Sequence, residues 1–112
     1  MTSSELRRLA DQKIVQSNSL LRDADRLRSQ AAVLRGLLDP LVAMSQRVWV
    51  GPAAADFESR STTHARIVND QAGEIVRIAG ELESQARELR RESASLRAQA
   101  AADASVLPAG VA

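Results

Sequence analysis

The sequence predicts an all-α protein, an antiparallel helical hairpin, on three observations. Apolar residues recur every seven positions over two long stretches, Leu6 to Val48 and Val68 to Leu96. A Gly51-Pro52 pair, a helix stop followed by a helix start, separates them near mid-chain. Trp49 and Phe57 are the only aromatic residues. That is too few for a compact mixed core and ordinary for long helices or coiled coils.

Helix one is predicted over about residues 4–48. Thr2-Ser3-Ser4-Glu5 has the form of a capping box, in which the Thr2 hydroxyl takes the Glu5 amide and the carboxylate reaches back. Leu6, Leu20, Leu27, Leu34, Leu41 and Val48 then share one seven-residue register, interrupted by Lys13. Four places beyond the first six positions of that register stand Ala10, Ser17, Ala24, Ala31, Leu38 and Ser45. Sustained 3-4 spacing of this kind marks helices packed as a coiled coil. Pro inside a helix removes a hydrogen bond and crowds the preceding turn, so a kink or a one-residue break is expected at Pro40, where Asp39 could cap a fresh segment. Residues 40–48 should continue as a short helix, because Leu34, Leu38 and Leu41 stay in phase.

Residues 49–52 form the predicted turn, a Trp-x-Gly turn built from Trp49 and Gly51. Trp49 is bulky enough to cover the end of the core where two helices part. Helix two follows over about residues 53–103, opened by Pro52, with Asp56 and Glu58 in its first turns, where the helix dipole favours acids. Val68, Ile75, Leu82, Leu89 and Leu96 repeat every seven residues, and Ser61 lies one step earlier. Four places after each stand Ala65, Ala72, Ala79, Ala86, Ser93 and Ala100. Each helix thus carries one large line and one small line, and small residues let helix axes approach toward ~8 Å. Residues 1–103 make one helical hairpin domain, and 104–112 read as a flexible tail.

A lone hairpin has a thin core. Six apolar residues also fall off the seam: Ile14, Leu21, Leu37, Met44, Ile67 and Ile78. They are the candidate partner interface, through which two hairpins would form a four-helix bundle dimer. The alternative is that they only widen the stripe within the chain.

The remaining chemistry is sparse. Net charge is +1, from fifteen basic and fourteen acidic residues. Arg87, Arg90, Arg91 and Arg97 alternate with Glu83, Glu88 and Glu92, which reads as a solvated, pair-laced helix and not a nucleic-acid face. There is no Cys, and His64 is the only His, so no metal site is expected and His64 reads as a packed or boundary residue. Nothing supplies a nucleophile with an oriented base, so the expectation is a non-enzyme without a cofactor. No apolar run approaches the length of a membrane span, and the N-terminus lacks the apolar core of a cleaved leader.

Trp49-Val50-Gly51, at mid-chain between two helical patterns and followed by an Ala-rich helix start with Phe57, resembles the WXG (ESAT-like) family. These are small helical-hairpin substrates and partners of type VII secretion systems, and the resemblance spans residues 4–103. It implies a homodimer or heterodimer with another WXG-like protein, with a secretion ATPase or a larger effector as further partners. It also implies synthesis in the cytoplasm and secretion by a type VII system without a cleaved signal peptide. The chain departs from the family in one respect. It has no Tyr, and Gln99 stands four residues before Asp103, so the Tyr-x-x-x-Asp/Glu export signal is missing. A paired chain would then supply the signal. Trp49 and Gly51 would either be offered to the secretion motor or serve local packing. An intracellular helical scaffold and a targeting partner of a larger toxin are the alternative functions.

Overall fold

The computed structural model describes residues 1–40 and 51–111, with side chains through residue 104. Two long helices pack against each other: α1, Ser3–Gly36, and α2, Pro52–Val111. There is no strand among the described residues. Contacts divide the chain into two compact units. Unit 1 joins Met1–Ala24 to Gly80–Ala112, and unit 2 comprises Asp25–Ala79.

The capping box forms at the start of α1. The Glu5 amide donates to Thr2 Oγ1 at 3.2 Å, and the Thr2 amide donates to Glu5 Oε2 at 3.4 Å. Two of the four amides that a helix start leaves without partners are thereby satisfied.

The interruption expected at Pro40 falls earlier in the chain. α1 ends at Gly36, Leu37 is a turn residue, and 38–40 are helical again. Pro40 has no amide to donate and would crowd the carbonyl of Gly36 in a continuous helix. Breaking at Gly36-Leu37 puts Pro40 in the first turn of a new segment, where a missing amide costs nothing. The Leu37 amide still donates back to Val33 at 3.1 Å and Leu34 at 3.2 Å, closing the last turn. The expected continuation over 41–48 lies outside the described residues, as do Met44 and Trp49.

Gly51 opens α2. Its carbonyl accepts from the Ala55 amide at 3.3 Å, and its φ is 109°. That backbone conformation is open to glycine and strained for other residues. Helical backbone then continues to Val111, beyond the expected end near residue 103. The Ala-rich run over 98–104 favours helix at every position but Asp103.

The small line is the centre of the packing. In unit 1, Ala10, Ser17, Ala24, Ala86, Ser93 and Ala100 are each no more than 1% exposed. Three serines mark the register. Ser3 Oγ donates to the Ala100 carbonyl at 3.2 Å, Ser17 Oγ to that of Ala86 at 3.1 Å, and Ser93 Oγ to that of Ala10 at 2.9 Å. As the α1 number rises by seven, the α2 number falls by seven, so the helices run antiparallel on a strict heptad. A hydroxyl on Cβ reaches the facing backbone only when no larger side chain intervenes. In unit 2, Ala31, Ala72 and Ala79 are buried on the small line, Ala65 on the same line is half-buried, and Ser61, on the large line, is buried.

Candidate interaction surface

Around a heptad helix, the position four before a small residue leans to one side of the seam, and the position four after leans to the other. Both helices are right-handed and run antiparallel, so the "four before" lines of both share one side. In unit 1 that side carries Leu6, Lys13 and Leu20 from α1, with Leu82, Leu89 and Leu96 from α2. The opposite side carries Arg7, Ile14 and Leu21, with Glu83, Arg90 and Arg97.

The cross-helix contacts agree with this division. On the leucine side, Lys13 Nζ meets Glu92 Oε2 at 2.8 Å. On the arginine side, Arg97 Nη2 donates to Asp11 Oδ1 at 2.8 Å. Arg90 donates from Nε to Ser17 Oγ at 3.1 Å and from Nη2 to Asn18 Oδ1 at 3.5 Å. The arginines expected to pair along their own helix therefore divide. Arg91 does so with Glu88 at 3.2 Å, whereas Arg90 and Arg97 cross to α1.

Charge in unit 1 also divides by side. Asp23, Glu92 and Asp103 flank the leucine line with Lys13, and Arg7, Arg87, Arg90 and Arg97 flank the opposite side with Asp11 and Glu83. Glu5, Glu81 and Glu88 lie further round, on the outer faces that also carry Arg8, Arg22 and Arg91, and Glu88 pairs there with Arg91. Linear alternation of charge conceals this, because neighbours in sequence lie about 100° apart around a helix. Assigning each charge to its heptad position would have revealed it.

The leucine lines are incompletely covered. Leu6 is buried, but Leu20, Leu82, Leu89 and Leu96 in unit 1 are half-buried, as are Leu27, Leu34, Val68 and Ile75 in unit 2. Among the described residues, the largest fully buried side chains are Ser17 and Ser93. Unit 2 has an open groove of about 420 Å³ lined by Ser29, Gln30, Val33, Leu34 and Ile75.

The six residues proposed as a partner interface do not share one environment. Ile14 and Leu21 are half-buried on the arginine side of unit 1. Ile67 and Ile78 are 48% and 37% exposed; the heptad position of Ile78 flanks the large line of unit 2, and that of Ile67 is on the outer face of the helix. Leu37 is 59% exposed at the turn after α1, and Met44 lies outside the described residues. Val15 and Val33, each 64% exposed, were not among the six, although Val33 lines the groove beside Leu34 and Ile75.

Little else on the surface carries chemistry. His64 is exposed. Among the described residues, no group of three His, Cys, Asp or Glu side chains could hold a metal ion, and no helix is long and apolar enough to cross a membrane. Glu74 is held below the ordinary carboxylate range by a side-chain hydrogen bond from Arg77, whose Nε donates to Oε2 at 3.0 Å. The chain matches no family model, no curated protein and no solved structure.

Proposed function

We propose that the chain works by pairing with another helical protein, as a WXG-like substrate or export partner of a type VII secretion system. The observation that carries the pairing is the half-buried leucine line. Covering an exposed apolar side chain is worth roughly 1.5–3 kcal/mol when complete. The leucine line would supply the core of a four-helix bundle, with no catalytic step and no cofactor. The secretion part rests on the Trp49-Val50-Gly51 resemblance. In this reading Trp49 and Gly51 stand at the turn end, and the partner brings the export signal.

Export tests the secretion part. The chain is followed in cells and culture filtrate of a host with its type VII ATPase and one without it, beside a cytosolic lysis marker. ATPase-dependent appearance in the filtrate is the expected outcome. Retention in both strains, while another substrate leaves the cell, would overturn it. The absence of Tyr favours one second reading, an intracellular helical adaptor, and that result would support it.

A further inference from the structure

We propose that the leucine side of unit 2 takes the same side of a second copy of this chain. The inference rests on the pairing reading above and names the occupant of one stretch of the leucine line. The leucine side of unit 1 stays open to a different chain, one that carries an export signal included.

The stretch is residues 27–36 of α1 and 67–79 of α2. Its large line is Leu27, Leu34, Val68 and Ile75, all half-buried. Val33, 64% exposed, lines the open groove of about 420 Å³ beside Leu34 and Ile75. Ile78, 37% exposed, lies about one helical turn from Ile75 and so borders the same face.

The rim decides the occupant. Gln30 and Gln71 stand at the positions that flank the large line on the two helices, and both are exposed. A carboxamide donates and accepts, so a Gln rim complements an identical rim. No Asp, Glu, Lys or Arg of this stretch stands on the large line or at those flanking positions. Arg28 and Arg35 belong to the opposite side. Arg26, just before the stretch, shares the outer faces with Asp70, Glu74 and Arg77. Glu74 is held there by Arg77, whose Nε donates to Oε2 at 3.0 Å. In unit 1 the corresponding positions carry Lys13, Asp23, Glu92 and Asp103. Choosing a different chain over a copy takes a repulsive element against the copy, and this stretch has none. In a twofold pair each groove would meet the other copy's Val33 and Ile78, by the reciprocity of an isologous contact.

Two variants of the full chain put charge on the rim. The acidic copy carries Gln30→Glu and Gln71→Glu, and the basic copy Gln30→Lys and Gln71→Lys. Both positions are exposed, so the small line is untouched. Helix content by circular dichroism confirms that each copy folds. Association is followed by analytical ultracentrifugation at an ionic strength of about 0.1 M, where the screening length is ~10 Å.

Wild type should form dimers. Each charged copy should self-associate at least about tenfold more weakly, and an equal mixture of the two should recover the loss. Val33→Glu should also weaken self-association, whereas Val15→Glu, at the same 64% exposure in unit 1, should not. Wild type and every rim variant dimerising equally well would overturn the inference and leave the pairing reading standing, because another stretch then does the pairing. A mixture no tighter than either charged copy alone would overturn it as well, since the rims then do not face each other. Wild type that stays monomeric up to about 1 mM would overturn it and leave the pairing to a different chain. If, in addition, no helical chain raised its melting temperature, the pairing reading would fall too.

Discussion

Ser17 shows how little space the seam leaves. Its hydroxyl donates to the Ala86 carbonyl and accepts from Arg90 Nε, and the side chain is fully buried. Ser17→Ala keeps the shape and loses those bonds, at an expected cost of about 1–2 kcal/mol. Ser17→Leu should cost more, about 3 kcal/mol or above, because a leucine there forces the helices apart. Urea unfolding of both variants by circular dichroism checks the order. Gly51 is a different case. None of the described residues crowds the position a Cβ would take, so among them only the backbone objects to a side chain. Gly51→Ala should therefore destabilise by about 1–2 kcal/mol through its positive φ alone, measured in the same way.

At the scale of elements, α1 stops where Pro40 dictates, not where the heptad ends. Pro40→Ala should let helix continue through Leu37, and amide hydrogen exchange across 36–40 would slow. Unchanged exchange would assign the break to Gly36 itself, a poor helix former. On α2, Arg77 holds the Glu74 carboxyl below its ordinary range. A carboxyl lowered in this way stabilises the fold above its ordinary pKa, and the contribution is lost as pH falls through the lowered value. Arg77→Ala should return the Glu74 titration to the usual carboxylate range, as read by carboxyl-carbon NMR.

For the whole molecule, the near-balance of fifteen basic and fourteen acidic residues says little, since unit 1 divides its charge by side. Its leucine line is only partly covered, so stability should depend on a partner. Anything that binds the folded chain alone raises its apparent stability by mass action. A mixture of the chain and a helical partner that pairs with it should accordingly melt at a higher temperature than either alone, by differential scanning calorimetry. No rise at concentrations well above the association midpoint would mean that the complex does not cover the leucine line.

The heptads, the capping box at Thr2 and Glu5, and the Gly51-Pro52 break were legible in the sequence. Each depends on spacing along one helix or on the backbone preferences of a few neighbours. Those local terms were enough to determine two helices with a large and a small line on each. What the sequence left open was which line forms the centre and what lies beside it. The structure puts Ala and Ser at the centre, because hydroxyl-to-carbonyl bonds such as Ser93 to Ala10 require close backbones. That choice leaves the leucines to one side. Antiparallel pairing then puts Asp23, Glu92 and Asp103 beside them and Arg7, Arg87, Arg90 and Arg97 opposite. It also separates Ile14 and Leu21 from the leucine line, although their hydrophobicity had suggested one interface. Each residue's heptad position is legible on its own helix, but which positions come to lie side by side depends on how the two helices pair, and that only tertiary structure decided.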